Sequence, residues 1–246
     1  MTTKSIHITT FGCQMNKADS ELSLGLLLEK GYTMAEDETS ADVILFNTCS
    51  VRQHAEDKVY SRLAQLRPKK ARNPDLIIGV LGCMAQKEAE RFFQRFPHVD
   101  LVCGTGMFDK VPQLLEKLGC KPSARGYEPF EGDCETLVRG KHLLAVEEDK
   151  IIDYPKRRAP RENPYQAFVT VMRGCDNYCS YCIVPYVRGR ETSRSTEEIV
   201  KEVESIAGGC EPFARGCKEV TLLGQNINTY GKTLAGNKNL ASLLRA

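Results

Sequence analysis

The chain has 246 residues, a formal net charge of +2 and 41% hydrophobic residues, which leaves room for one large or two ordinary globular domains. The near-neutral balance excludes binding of nucleic acid through bulk positive charge, so any RNA contact must come from a local patch. No apolar run reaches the ~18 residues of a membrane span, the start MTTKSIHITT lacks the order of a signal peptide, and eleven cysteines fit metal-binding thiolates in a reducing cytoplasm better than a disulfide scaffold.

In chain order, Ile6 to Thr10 reads as a short strand, and Ala18 to Lys30 as an amphipathic helix ended by Gly31. Val43 to Asn47 is an apolar strand followed by a helix over roughly Arg52 to Leu66. Leu76 to Leu81 and a helix over about Gln86 to Phe96 repeat the pattern, and Val99 to Cys103 with a helix near Val111 to Leu118 repeats it again. Continuous apolar strands separated by helices predict an α/β fold with a doubly wound parallel sheet, covered on both faces. This domain is expected over residues 1–122.

Residues 123–160 read as a linker, with scattered Pro and Gly, a short strand at His142 to Val146, and the basic run Lys156, Arg157, Arg158 and Arg161. Such a run is usually a solvated segment, although it could touch phosphate. The same alternatives hold for Arg67, Lys69, Lys70 and Arg72 after the second helix.

Residues 161–246 begin a second α/β pattern. The strand Phe168 to Met172 leads through a cysteine cluster to the helix Thr196 to Ala207 and the strand Glu219 to Leu223. A (β/α) barrel spends roughly 30 residues per unit, so this stretch supplies about two and a half units and is expected to be an incomplete barrel.

The sharpest signal is RGCDNYCSYC, which places Cys175, Cys179 and Cys182 as CxxxCxxC in a loop after a strand. Three thiolates this close can hold one face of a four-iron four-sulfur cube and leave the fourth iron open. Bacterial ferredoxins use a different order with a fourth Cys. A zinc knuckle built from Cys179, Cys182, Cys210 and Cys217 is the alternative, but it leaves Cys175 unexplained and spaces its second pair too widely.

Cys13, Cys49 and Cys83 each follow a predicted strand and precede a helix. In an open parallel sheet such loops emerge at one edge, where these folds bind ligands, and the helix dipole there favours a thiolate. Separate buried cysteines remain the alternative on spacing alone. Cys103, at the end of the fourth strand, reads as a core residue or a support to the ligands, with a fourth-ligand role as the alternative. Cys120, Cys134, Cys210 and Cys217 read as non-ligands.

CxxxCxxC after the first strand of a barrel resembles the radical S-adenosylmethionine enzymes. Together with GCQMNKADSE, NTCSVRQHAEDKV, GCMAQ and the stretch through VPYVRGRETSR, the chain resembles the methylthiotransferases of that superfamily that modify tRNA, from about Ile6 to Tyr230. The resemblance implies an auxiliary four-iron cluster on Cys13, Cys49 and Cys83 and a radical-generating one on Cys175, Cys179 and Cys182. It also implies S-adenosyl-L-methionine as cofactor, with Tyr181 near its adenine and the LGQN segment, including Gln225 and Asn226, near its methionine moiety. Within the family, the motifs resemble the branch that methylthiolates carbon 2 of N6-isopentenyladenosine beside the anticodon. Related branches act on threonylcarbamoyladenosine or on an aspartate of a ribosomal protein. A non-catalytic iron–sulfur fragment is the reading from another class. The expected partners are the tRNA substrate and an electron-donor protein, with a monomer in the cytoplasm and no membrane. Cys103 and the stretch Gly208 to Cys217 depart from the family pattern, and the C-terminal RNA-binding part of the family is missing, so this chain alone is expected to be inactive.

Overall fold

A computed structural model describes residues 3–51, 53–122, 136–139, 141–146, 161, 163–208 and 217–246. The chain divides into two compact units, Met1–Arg158 and Ala159–Ala246. The basic residues Lys156, Arg157 and Arg158, together with Cys134 and Cys210, lie outside the described residues.

The first unit runs β1 (Ser5–Phe11), α1 (Gln14–Glu29), β2 (Thr33–Met34), β3 (Val43–Thr48), α2 (Gln53–Arg72), β4 (Ile77–Gly82), α3 (Cys83–Glu88), α4 (Arg91–Arg95), β5 (Leu101–Cys103), a 3-10 segment (Thr105–Lys110), α5 (Val111–Lys117), β6 (Leu137–Arg139) and β7 (His142–Ala145). The strands form one sheet in the order β2-β1-β3-β4-β5-β7-β6. Six are parallel, and β6 adds an antiparallel edge against β7.

Side-chain alternation explains why this sheet carries helices on both faces. In β3, Val43 and Leu45 enter one apolar cluster with Leu22 and Leu27 of α1 and Leu114 and Leu115 of α5. Ile44 and Phe46 enter the opposite cluster with Val59 and Leu63 of α2 and Phe92 of α4. Every residue of β3 and β4 is buried, and each fully buried Leu, Ile or Phe contributes about 1.5–3 kcal/mol of transfer free energy.

The structure departs from the sequence reading at several places. The strand expected within the linker is β7, paired in parallel with β5, so the first unit extends past the 1–122 expected from periodicity. Helix α2 does not stop near Leu66; it continues through Pro68 to Arg72. Its last turn is anchored, since Lys69 Nζ donates to the Glu38 carbonyl and Lys70 forms a mostly buried ion pair with Asp100 at 2.8 Å. Those contacts offset the backbone hydrogen bond that a proline removes. The single helix expected over Gln86 to Phe96 is two, α3 and α4, broken at Ala89, where φ is +44°.

The second unit runs β8 (Gln166–Thr170), β9 (Met172–Arg173), α6 (Val184–Arg188), β10 (Thr192–Ser193), α7 (Thr196–Ala207), β11 (Glu219–Leu223), a 3-10 turn (Ile227–Thr229) and α8 (Leu240–Arg245). β8 and β11 pair in parallel, and α7 supplies the crossover, capped by Ser195 Oγ on the Glu198 amide at 3.2 Å. Ala167, Val169, Ile199, Ile206 and Tyr230 form its core. This is one parallel β/α unit with the opening of the next, the start of a (β/α) barrel.

Candidate functional site

Phe11 of β1, Thr48 of β3 and Gly82 of β4 stand beside one another in register. Cys13 lies two residues beyond Phe11, and Cys49 and Cys83 one residue beyond Thr48 and Gly82. Three neighbouring parallel strands thus deliver three cysteines to the same carboxyl edge. Within the order β2-β1-β3-β4-β5 the chain reverses direction between β1 and β3, which is where open α/β sheets bind ligands.

The Cys13 and Cys49 thiols are in contact there, and Cys83 lies near enough to act on Cys49 electrostatically. The Cys49 thiol donates to Cys13, and this bond, burial and electrostatic repulsion from Cys83 and Cys13 hold it well above the usual range. Cys49 Sγ also accepts from the Val51 amide at 3.4 Å. Cys49 and Cys83 are 3% and 4% exposed, while Cys13 is open to solvent, so the triad has a sealed floor and an accessible rim.

Cys103 ends the next strand, yet it does not join them. It is fully buried in the apolar cluster under α1 and α5, and its Sγ lies 3.6 and 3.5 Å from the carbonyls of Gly104 and Met107. Among the described residues no group of three or more His, Cys, Asp or Glu is set to hold a single metal ion. Three soft thiols without a carboxylate or imidazole fit an iron–sulfur cluster, whose several irons accept more widely spaced sulfurs than one ion does.

In the second unit Cys175, Cys179 and Cys182 lie in the loop between β9 and α6, and the antiparallel pairing of β9 with β10 closes the neck of the whole excursion. Gly174 opens the loop with φ +74°, and a Cβ there would come 2.0 Å from the Arg190 carbonyl. The Arg190 guanidinium bonds both Asp176 oxygens at 2.8 and 3.2 Å, and the Glu191 amide donates to Asp176 at 3.1 Å. These bonds, Arg190 first, hold the Asp176 carboxyl below its ordinary range. Cys182 N donates to the Cys179 carbonyl at 2.9 Å, which curls the CxxC segment into a turn.

Gln225 follows β11 and accepts from the Gly174 amide at 2.7 Å, tethering the cysteine loop to the neighbouring strand end. Tyr181 is 91% exposed. The Asn226 carbonyl caps the following 3-10 turn by accepting from Thr229 N and Oγ1 at 3.0 and 2.8 Å. Cys217 sits two residues before β11, with its Sγ 3.0 Å from the Tyr165 and Glu219 carbonyls. That is the amino end of a strand parallel to β8, opposite the cysteine loop, so Cys217 does not share a zinc site with Cys179 and Cys182.

The sequence reading missed the residues that tie these loops down. Asn16 and Asn47 are both fully buried; Asn47 is visible in the sequence only as a polar residue after an apolar run, and Asn16 only as one polar residue of the segment QMNKAD. Gly174, Asp176 and Arg190 are visible only as letters near a motif.

Residues 5–104 match the family described as Uncharacterized protein family UPF0004, and residues 169–241 match the radical SAM superfamily. A solved radical S-adenosylmethionine methyltransferase, TsrM from Kitasatospora setae, has the same fold with a TM-score of 0.53 at 13% identity, over 99% of this chain and 52% of that one. The chain thus has a doubly wound domain followed in sequence by a segment, residues 169–241, that matches the radical SAM superfamily. Over 238 residues it is 47% identical to the tRNA-2-methylthio-N(6)-dimethylallyladenosine synthase of Dictyoglomus thermophilum, covering 97% of this chain and 48% of the relative. It is 42% identical to the synthase of that name from Clostridium perfringens strain SM101, over all of this chain and 50% of the relative. The chain carries matches to both families and is similar to these methylthiotransferases throughout, and it spans about half the length of the curated relatives it matches. Among the described residues no helix is long and apolar enough to cross a membrane.

Proposed function

We propose that this chain supplies both iron–sulfur sites of an enzyme that replaces the hydrogen on carbon 2 of N6-isopentenyladenosine in tRNA by a methylthio group. The auxiliary cluster rests on Cys13, Cys49 and Cys83, and the radical-generating cluster on Cys175, Cys179 and Cys182. The observation that supports this reading is the delivery of the first three cysteines to one sheet edge by three neighbouring parallel strands, apart in sequence from the compact CxxxCxxC loop.

An aromatic C–H bond has no acidic proton and no leaving group, so general acid–base catalysis does not suffice. When bound, the clusters and S-adenosylmethionine supply the radical and sulfur chemistry that side chains lack. The chain's own residues set the geometry for it. Gln225 holds the Gly174 amide, and Asp176 with Arg190 closes the neck of the loop. Tyr181 offers an exposed ring for the cofactor's adenine, and Asn226 sits at the strand end that faces its methionine moiety. Reduction comes from an electron-donor protein, and the enzyme acts as a cytoplasmic monomer.

Anaerobic reconstitution of the 246-residue chain should bind two four-iron clusters. Replacing Cys13, Cys49 and Cys83 by Ala, or Cys175, Cys179 and Cys182 by Ala, should each remove half of the iron and sulfide. Stoichiometric zinc in place of iron refutes the site assignment. Deleting the gene should leave isopentenyladenosine without its methylthio group when tRNA digests are analysed by mass spectrometry, and unchanged modification refutes the substrate assignment.

A further inference from the structure

We propose that Asn16 and Asn47 are positioning residues for the auxiliary cluster, forming one buried amide pair that fixes all three cysteine loops relative to each other. The inference rests on the reading of Cys13, Cys49 and Cys83 as cluster ligands.

An asparagine side chain offers two acceptor lone pairs and two donor hydrogens, and Asn16 uses all four. Its Oδ1 accepts from the Cys13 backbone amide at 3.3 Å and, in the cluster-free chain, from the Cys13 thiol at 3.2 Å; the second bond is given up once that sulfur is a thiolate ligand, and the other three remain. Its Nδ2 donates to Asn47 Oδ1 and to the Thr48 carbonyl, each at 3.0 Å. Asn47 answers by donating to the Asn16 carbonyl at 2.8 Å and to Ser20 Oγ at 2.9 Å. The link therefore runs from the Cys13 loop, through two amides, to the peptide that leads into Cys49.

The third loop is joined by close approach. A Cβ on Gly82, the residue before Cys83, would lie 2.5 Å from Asn47 Oδ1 and 2.5 Å from the Thr48 carbonyl. A Cβ on Gly12, before Cys13, would lie 2.5 Å from Asn16 Oδ1. The residues immediately preceding all three cysteines thus pack on, or bond to, the same pair.

Its location argues for a role beyond filling space. β3 is apolar from Val43 to Phe46 and turns polar only at Asn47 and Thr48, the two residues under the thiols. Buried amides cost stability unless fully hydrogen-bonded, and when satisfied they specify one arrangement. Groups behind metal ligands orient them, and their loss typically lowers metal affinity by about 10–100-fold.

The test uses the 246-residue chain with Cys175, Cys179 and Cys182 changed to Ala, so that only the first-unit cluster is read. Asn16→Ala and the paired Asn16→Leu/Asn47→Leu are placed on that background. The paired change keeps the volume and removes both partners of the Asn16–Asn47 bond, while the Cys13 amide, the Thr48 and Asn16 carbonyls and Ser20 lose theirs. Fold is followed by circular dichroism of the iron-free chain, and cluster retention by visible absorption and iron content under an iron chelator.

The expected result is folded variants that lose iron about 10–100-fold faster than the parent. Retention equal to the parent in either folded variant overturns the proposal. So does failure of both variants to fold, since the pair then serves the core alone. A parent that binds no cluster refutes the ligand assignment, and the inference falls with it.

Discussion

Gly82→Ala probes both the fold and the first thiol triad. Gly82 has φ +96° and ψ −159°, a region open essentially to glycine alone, and holding another residue there costs of order 1–3 kcal/mol. The added methyl would also lie 2.5 Å from the Thr48 carbonyl and from Asn47 Oδ1, and 3.0 Å from Thr48 N. Two of these three atoms are backbone of a buried strand and cannot turn aside, so overpacking adds about 1–3 kcal/mol. The sum, about 2–6 kcal/mol, is a large share of the ~5–15 kcal/mol that stabilises a domain.

Gly119→Ala is the matched control. Its φ is +81°, but among the described residues no atom beyond its chain neighbours lies within 4 Å of the added methyl, so only the conformational cost of about 1–2 kcal/mol applies. In urea unfolding followed by circular dichroism, with m near ~2 kcal/mol/M, Gly82→Ala should lower the midpoint by about 1–3 M and Gly119→Ala by less than about 1 M. Gly82→Ala should also reduce iron bound at the first site, because relief of the clash displaces the peptide that carries Cys83. A Gly82→Ala midpoint no lower than that of Gly119→Ala refutes the reasoning.

Gly174→Ala should empty the second iron site and spare the first, since its methyl would strike the Arg190 carbonyl at 2.0 Å; iron counts in each cysteine-triple background check this. Alkylation of the iron-free chain followed by peptide mass spectrometry should modify exposed Cys179 early and Cys103 and Cys120 last, because Cys103 is fully buried and burial pushes the Cys120 thiol up to about 11. Early labelling of Cys103 contradicts its place in the core. For Asp42, burial opposes ionisation, but the Ser5 amide and the Lys4 ammonium outweigh it and hold the carboxyl below its ordinary 3.8. A folded value below the unfolded one contributes stability present above about 3.8 and lost as pH falls through the folded value. Asp42→Asn should therefore flatten the acid limb of a stability–pH curve, and an unchanged limb removes Asp42 as a contributor.

The strands of the first unit were legible because they are buried on both faces, and runs such as VILF and IIGVL have few other uses in a soluble fold. What escaped the sequence depended on distant partners. Pro68 reads as a helix stop, yet the Glu38 carbonyl and Asp100, some thirty residues away, hold the last turn of α2. His142 to Ala145 reads as a lone strand because its partner, β5, lies about forty residues earlier. At the site, cysteine spacing conveyed which cysteines reach the carboxyl edge of the sheet, but the amide pair was not legible: the contacts of a buried Asn at the end of an apolar strand are decided by what stands opposite it. Asn16 is 31 residues from Asn47.

The two triads are gathered by different physics, and their dependence on folding differs accordingly. Cys175, Cys179 and Cys182 span eight residues, so a short loop brings them together at small entropic cost whether or not β8 has formed. Cys13, Cys49 and Cys83 are separated by 36 and 34 residues, and loop-closure entropy opposes their meeting in the unfolded chain. Only the parallel register of β1, β3 and β4 brings them to one edge, and folding of the sheet pays that cost before any metal arrives. On the proposed ligand assignment, the first site would therefore report the native sheet, while the second would capture iron as soon as its loop is made. Perturbing the sheet far from either site should weaken the first cluster and leave the second loop competent.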